Sequence, residues 1–391
     1  MSDLNTYEAA GKAVEDVLRN AGIDFSGYVF GSTDLEPDEK SVGSAIMHLD
    51  HSADILVCVG SGTLNDICKI VSKTAKLPYI IVGTAPSMDG YASASSSVVM
   101  DGLKVSLNSR CPNVIIGDID ILCKAPEKML VSGLGDMLAK YVSIAEWRIS
   151  NLINGEYFCD KIAEYIRAAL AACTDNAAGL LKRDEKSIEA VFEGLIACGA
   201  AMEYAGLSRP ASGVEHYISH VWDMRSVELG TPVSTHGIQC AIGTLIASKL
   251  YAKILSTEPD KEKALAFADS FDFGKWSEEL RAFLGNGAEV MIAAEKKDGK
   301  YDKTKHTVRL DIIIDNFEKI KDIIREEIPT PDKISDILDL IGCPKTAKEI
   351  GIDEAILPMT FKATKDIRDK YVLSRLCWDL GIQDELAEMV K

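Results

Sequence analysis

The first third of the chain alternates amphipathic stretches with short apolar runs. Residues 6–21 carry apolar side chains at helical spacing, and residues 63–76 repeat that period. Apolar runs that end in turn residues, as buried parallel strands do, lie at 27–32, 53–62, 77–84 and 113–122. This alternation of helices and strands predicts a doubly wound parallel sheet, which binds ligands outside the carboxyl ends of its strands.

The pattern changes after Leu122, where helical periodicity takes over. Long amphipathic stretches occupy residues 157–181, 186–205 and 237–255, and few strand candidates remain. The sequence therefore predicts an α/β nucleotide-binding domain over residues 1–123 and an all-α domain over residues 124–391.

Composition narrows the function classes. The chain has 391 residues and a net charge of −17, which repels nucleic acid and anionic membranes but allows a small anionic substrate in a local basic pocket. Ten cysteines without a CxxC pair predict buried free thiols in a reducing compartment. Since we find no signal peptide and no apolar run near the roughly 20 residues of a membrane span, we expect a cytoplasmic protein.

A candidate phosphate loop lies at the end of the second apolar run. Its residues are Gly60, Ser61, Gly62 and Thr63, between a predicted strand and a predicted helix. Glycines let the backbone approach a phosphate, and the helix N-terminus offers N–H donors. The motif is neither GxGxxG nor a P-loop, so a tight turn without any ligand is the alternative.

A second polar loop follows the next apolar run. It places hydroxyl groups and one carboxylate just past the strand, at Thr84, Ser87, Asp89 and Ser93. This mixture suits ligand recognition at the carboxyl end of a strand. A solvated serine-rich turn is the alternative.

Histidines cluster in the predicted helical domain. His216 and His220 are four residues apart, so a helix would place both rings on one face, and His236 precedes another helical stretch. No glutamate lies between the first two rings, which excludes the zinc-protease motif HExxH.

A cation site there would need a carboxylate from elsewhere. Asp136 follows two glycines in SGLGDMLAKY, and Lys140 comes one turn later. One carboxylate and two imidazoles would suit zinc, nickel or ferrous iron. The spacing alone is also compatible with a histidine pair on a helix surface.

Five motifs together resemble a known family. In order they are GSGTLND, TAPSMDGYASASS, GLGDMLAKY, SRPASGVEHYISHVWDM and the later HG turn. Their order and wording resemble bacterial sn-glycerol-1-phosphate dehydrogenases, a branch of the superfamily of iron-containing alcohol dehydrogenases and glycerol dehydrogenases. The resemblance implies the architecture of that superfamily, shared with dehydroquinate synthase: an α/β nucleotide domain followed by an all-α domain.

The resemblance assigns the metal residues. Asp136, His216 and His236 would be the ligands of one divalent cation, either Zn, Ni or Fe. His220 would lie close to the metal without binding it. Some superfamily members have a further histidine ligand where this chain has Lys140, so three protein ligands are expected.

The resemblance also assigns a site for NAD or NADP. The pyrophosphate loop would comprise Gly60, Ser61, Gly62 and Thr63, with Asp66 closing the motif. Thr84, Ser87 and Ser93 would contact the nicotinamide half, Asp89 would lie between nicotinamide and substrate, and Asp3 would bind the adenosine ribose. Family members usually have a further strand before the position of Asp3, so we expect that strand to be missing from this sequence.

The implied reaction is metal-dependent reduction of dihydroxyacetone phosphate to sn-glycerol 1-phosphate by NAD(P)H. His220 would relay the proton, and Lys140 and Arg209 would bind the substrate phosphate; a solvated lysine and an arginine paired within the fold are the alternatives. A homo-oligomer is expected from the family. A polyol dehydrogenase, a dehydroquinate synthase-like lyase and a scaffold without activity are the competing functions.

Overall fold

The computed structural model describes residues 1–100, 103–232 and 234–390. The chain divides into two compact units. Unit 1 consists of Met1–Met137 and Ala168–Gly206, and unit 2 of Leu138–Arg167 and Leu207–Lys391. We expected a domain boundary after residue 123. The last described strand ends shortly before it, at Gly117, and only helices follow among the described residues. The boundary itself stays a prediction.

All seven described strands belong to unit 1. They are β1 (Ser2–Asp3), β2 (Val29–Phe30), β3 (Leu56–Gly60), β4 (Tyr79–Gly83), β5 (Ser95–Met100), β6 (Leu103–Asn108) and β7 (Val114–Gly117). β3, β4 and β7 form a parallel sheet in that order, and the last residues of the three strands, all glycines, are in register. The strands predicted from the apolar runs are therefore present, although the fourth ends at Gly117 and is followed by a short helix.

The N-terminal residues make backbone contacts with two strands, β2 and β3. β1 pairs with β2 in parallel. The Met1 ammonium donates to the carbonyl of Val57 at 2.7 Å, and the Met1 carbonyl accepts from the amide of Val59 at 2.8 Å. The first residue of the chain therefore lies beside β3. Whether the family's first strand is missing stays a prediction.

One pair of strands was not predicted from the sequence. β5 and β6 form an antiparallel ladder from Ser95↔Asn108 to Met100↔Leu103. The serine-rich start of β5 hid it, because three consecutive serines are typical of a loop.

The helices of unit 1 precede, separate and follow these strands along the chain. They are α1 (Leu4–Thr6), a π-helical turn (Tyr7–Gly11), α2 (Lys12–Asn20), α3 (Glu39–Met47), α4 (Gly62–Ala75), α5 (Ile119–Leu122), α6 (Glu127–Leu138), a 3-10 turn (Ala177–Lys182) and α9 (Glu185–Ala205). α6 ends with the first residue of unit 2, and α8 (Asp160–Asp175) also belongs to both units.

The described part of unit 2 contains helices and no strand. They are α7 (Lys140–Asn154), α10 (Val214–Leu229), α11 (His236–Leu255), α12 (Lys261–Ser270), α13 (Phe273–Leu284), α14 (Gly287–Asp298), α15 (Lys303–Asp315), α16 (Phe317–Glu327), α17 (Pro331–Leu340), two 3-10 turns (Lys348–Ile350 and Glu354–Ile356), α18 (Leu357–Thr364), α19 (Leu373–Asp379) and α20 (Gln383–Glu388). A parallel α/β part followed by a helical part confirms the predicted fold class.

Helix α11 corrects one expectation. It has 20 residues and is apolar enough to cross a membrane by length and composition, whereas the sequence reading found no such run. However, 78% of its most apolar window is buried within the protein, which is typical of a core helix.

Gly133, the first of the two glycines before Asp136, lies at a close contact. A Cβ atom at Gly133 in α6 would lie 1.9 Å from the carbonyl oxygen of Pro86, in the loop after β4. α6 therefore packs directly against the backbone of that loop, which only glycine permits.

We predict that Gly133→Ala destabilises unit 1, because backbone atoms must move to admit the methyl group. The expected cost is about 1–3 kcal/mol, measured as a lower midpoint of denaturant unfolding. Gly43→Ala is the matched control, since Gly43 also lies within a helix but its added Cβ would meet nothing within 4 Å. Equal midpoints for the two variants would contradict the prediction.

Candidate functional site

Two packed helices of unit 2 bring together side chains of the types that can bind a metal. A Cβ at Gly243 in α11 would lie 2.7 Å from the carbonyl oxygen of Glu215 in α10, so the two helix backbones touch at this glycine. The packing gathers donor atoms of His216, His236 and Cys240 within 4.8 Å of one another. Two imidazoles and a thiol are chemically suited to a divalent transition metal.

Each imidazole has a partner at Nδ1. Nδ1 of His216 lies 2.9 Å from Oε1 of Glu215, and Nδ1 of His236 lies 3.0 Å from Oγ of Ser219. Such contacts fix the orientation of a metal-binding ring and direct its Nε2 to the ion. The sequence could have suggested Glu215, which precedes His216, but not Ser219.

His220 lies beside this group without joining it. Its ring stacks on that of His236, with centroids 5.9 Å apart and planes 26° apart. Its side chain is half-buried. The predicted role close to the metal, but not as a ligand, stays a prediction with compatible geometry.

Two carboxylates are buried at the start of α10, and that of Glu215 contacts His216. Glu146 in α7 accepts hydrogen bonds from the amides of Val214 and Leu373 and from the Tyr251 hydroxyl. Glu215 accepts from the amide of Gly213 through Oε1 at 2.6 Å. Both Glu146 and Glu215 are almost inaccessible to solvent. Burial, and then the charge of Glu215, raises the pKa of Glu146 to about 8.

The loop before α10 is fixed by basic residues. Lys140 is fully buried and donates to the carbonyl of Ala211 at 3.0 Å. Arg209 pairs with Glu156 at 2.8 Å and also donates to the carbonyl of Tyr371 and to Ser150. These are the contacts of side chains paired within the fold, which is the alternative that the sequence left open for Arg209.

Lys370 is a basic residue that the sequence reading missed. It is half-buried, and its Nζ donates to the carbonyl and to Oγ of Ser212, at 3.0 and 2.6 Å. Burial, and then the positive charges of Arg209 and Arg368, hold the pKa of Lys370 well below its ordinary value. A bound anion would relieve this repulsion. Its 158-residue separation from Ser212 in the chain explains why no local motif revealed it.

In unit 1, the predicted phosphate loop has the expected geometry. β3 ends at Gly60, Ser61 is the N-cap residue and α4 begins at Gly62. The amide of Thr84, the residue after β4, donates to the carbonyl of Gly60 at 3.1 Å. The two candidate loops therefore adjoin at the carboxyl edge of the sheet.

Buried Lys69 attaches α4 to the second loop and was also missed in the sequence. Its ammonium donates to the carbonyl of Gly90, to Oγ of Ser93 at 3.2 Å and to the carbonyl of Ser95 at 3.0 Å. Asp66 accepts from the amide of Ser97 and lies 3.7 Å from the same ammonium. Ser93 and Asp66 thus connect α4 to the serine-rich segment, and their cofactor roles stay predictions.

Asp136 and Asp89 are joined within unit 1. The amide of Asp89 donates to Oδ2 of Asp136 at 2.9 Å, and Asp136 is fully buried. Ser132, one turn earlier in α6, donates to the carbonyl of Ser87 at 2.9 Å. The loop after β4 is thereby attached to the helix that carries the predicted carboxylate ligand.

Asp3 has a structural role at the start of the chain. It ends β1 and caps the first helix, accepting from the amide of Thr6 at 2.7 Å. A cavity of about 480 Å³ lies beside β1 and β3, but none of the residues predicted to bind the cofactor lines it. The cavity therefore adds no support to a nucleotide site.

Comparisons with known proteins identify the family. The family model for iron-containing alcohol dehydrogenases matches residues 1–126. A glycerol-1-phosphate dehydrogenase [NAD(P)+] of Halalkalibacterium halodurans is 31% identical over 376 residues, which cover 95% of this chain and 84% of the relative. The chain belongs to the glycerol-1-phosphate dehydrogenase family. The family member of Bacillus licheniformis is 34% identical, with coverage of 97% and 82%.

Solved structures confirm the fold. Glycerol dehydrogenase from Schizosaccharomyces pombe has a TM-score of 0.62 at 17% sequence identity, and the match covers 100% of this chain and 83% of that chain. The fold shared with that enzyme confirms the architecture expected from the sequence.

We predict that Glu146→Gln changes how stability depends on pH. Folding raises the pKa of Glu146 to about 8, whereas an unfolded glutamate titrates near ~4.3. Between these values the folded protein retains a proton that the unfolded chain releases, so this group's contribution to stability is lost as pH rises. A glutamine cannot lose that proton. The variant should therefore gain stability relative to the wild type from about pH 5 to about pH 8.

The measurement is the free energy of unfolding against pH, with a chelator present so that metal binding does not contribute. A constant offset between the two curves reports altered hydrogen bonds only. Glu189→Gln, at an exposed position, is the control for loss of a carboxylate. Parallel curves for Glu146→Gln and the wild type would rule out the raised pKa.

Proposed function

We propose that this chain catalyses the reversible reduction of dihydroxyacetone phosphate to sn-glycerol 1-phosphate, with NADH or NADPH and one divalent cation. Family membership supports the reaction class. The observation that supports the substrate assignment is the N-terminal end of α10. Ser212, which accepts a hydrogen bond from Lys370, lies within five residues of His216 in the chain, so the proposed phosphate-binding residue contacts the same helix end that carries a proposed metal ligand.

The residues of unit 2 would bind and orient the substrate. Lys370 and Arg368 would take the phosphate, helped by the N-terminus of α10, which favours anions. Lys140 and Arg209 would keep the backbone of this loop in place. His220, half-buried beside His236, would donate the proton to the substrate oxygen.

His216 and His236 are proposed as metal ligands, with Asp136 as the carboxylate implied by the resemblance. Asp136 lies two residues before the chain enters unit 2. The fixed Nδ1 atoms of both histidines support the assignment. When bound, the cation supplies Lewis acidity to the carbonyl oxygen and the nicotinamide supplies hydride.

The residues of unit 1 would bind the cofactor. Gly60, Ser61, Gly62 and Thr63 would place the pyrophosphate at the N-terminus of α4. Thr84, Ser87 and Ser93 would contact the nicotinamide half, and Asp89 would lie between it and the substrate. A cytoplasmic location and a homo-oligomeric state remain part of the proposal, and size-exclusion chromatography with light scattering would test the latter.

The first test is an assay of purified protein with dihydroxyacetone phosphate and NADH or NADPH, with zinc or nickel. We expect oxidation of the cofactor that stops with a chelator, and much slower turnover of dihydroxyacetone. His236→Ala should lose bound metal and activity together, whereas exposed His51→Ala should keep both. Activity in a metal-free His236→Ala protein would refute the mechanism, and preference for unphosphorylated polyols would refute the substrate.

We predict that Lys370→Met weakens binding of the phosphorylated substrate. Loss of one charged hydrogen bond should raise KM for dihydroxyacetone phosphate by about tenfold to a hundredfold, because the phosphate loses its partner. Turnover of dihydroxyacetone should change little. Exposed Lys275→Met is the control for loss of a positive charge. An equal loss for both substrates would show that Lys370 acts on the fold rather than on the phosphate.

A further inference from the structure

Cys240 lies one helical turn after His236 on α11. It is fully buried, and its Sγ lies 3.5 Å from Nε2 and 3.9 Å from Nδ1 of His236. The spacing of four residues places the two side chains on the same face of the helix. Cys240 is therefore part of the cluster that contains the two proposed histidine ligands.

We propose that Cys240 is a further ligand of the cation, binding through its thiolate. The inference rests on the metal site of the proposed function and adds a ligand that the expected set of one aspartate and two histidines lacks. The nearer nitrogen of His236 is Nε2, the atom left for the metal when Nδ1 contacts Ser219.

The distances fit coordination of one ion. Zinc binds nitrogen at about 2.0–2.1 Å and sulfur at about 2.3 Å, so two such ligands in a tetrahedral arrangement lie about 3.5 Å apart. The separation of Nε2 and Sγ is 3.5 Å. A nitrogen of His216 lies within 4.8 Å of the same sulfur, so a third donor is close to this pair.

A thiolate ligand changes which metal ion the site prefers. It is a soft ligand and favours zinc over metals that prefer oxygen donors. With Asp136 it would make four protein ligands, so the substrate oxygen would be a fifth, a coordination number that zinc adopts in catalysis. The thiolate would also bring a second negative charge to the cation.

Cobalt absorption spectroscopy tests the ligand directly. The full-length protein is stripped with a chelator and loaded with Co²⁺, whose bond to a thiolate gives a charge-transfer band in the near ultraviolet. We expect this band in the wild type, together with the visible bands of bound Co²⁺. Cys240→Ser and Cys240→Ala should lose the ultraviolet band and keep the visible bands, while Cys343→Ala, at another buried cysteine of unit 2, should keep both.

The outcomes separate this inference from the function on which it rests. Visible bands without a charge-transfer band in the wild type would overturn the ligand role of Cys240 and leave the metal site intact. Failure of the wild type to bind Co²⁺ or Zn²⁺ would overturn the metal site itself. As a second readout, Cys240→Ser should bind Zn²⁺ at least about tenfold more weakly in competition with a chelator, and an unchanged affinity would contradict the proposal.

Discussion

The contact between α10 and α11 at Gly243 is the constraint on which the candidate metal residues depend. Any side chain there would overlap the backbone of Glu215, which is the residue before His216. Gly243 lies about two turns after His236 on the same helix. The missing side chain therefore lets the two helices that carry His216 and His236 approach closely, although Gly243 itself offers no donor atom.

The same packing buries Glu146 and Glu215, which is costly because carboxylates lose their hydration. Backbone amides and a tyrosine hydroxyl compensate part of this cost. Oε2 of Glu215 still lacks a partner within the described residues. The benefit is the orientation of His216, since Glu215 contacts its Nδ1. A fold that tolerates an incompletely paired carboxylate beside a histidine is typical of a functional site.

The sequence predicted the three-stranded sheet of unit 1 because each of its strands is a local apolar pattern that ends in glycine. β3, β4 and β7 finish at the same level, and this edge is where the motif residues Gly60 and Thr84 meet. The hairpin of β5 and β6 escaped prediction because its first residues are serines, whose strand preference is weak, and the partner strand decides the outcome. Lys69 escaped because a lysine in an amphipathic helix is normally exposed.

In unit 2, a spacing of four residues on a helix does mark side chains that lie together, but only one such pair was considered. His216 and His220 were singled out because histidine is rare in this chain, and the structure places His220 outside the cluster of possible ligands. His236 and Cys240 have the same spacing of four residues, and both belong to the cluster. A cysteine in an apolar run is normally a core residue, so its sequence context could not distinguish it from the other buried cysteines. Only the packing of α10 against α11 distinguishes Cys240, because it places two imidazoles beside this thiol and not beside the thiols of the other cysteines.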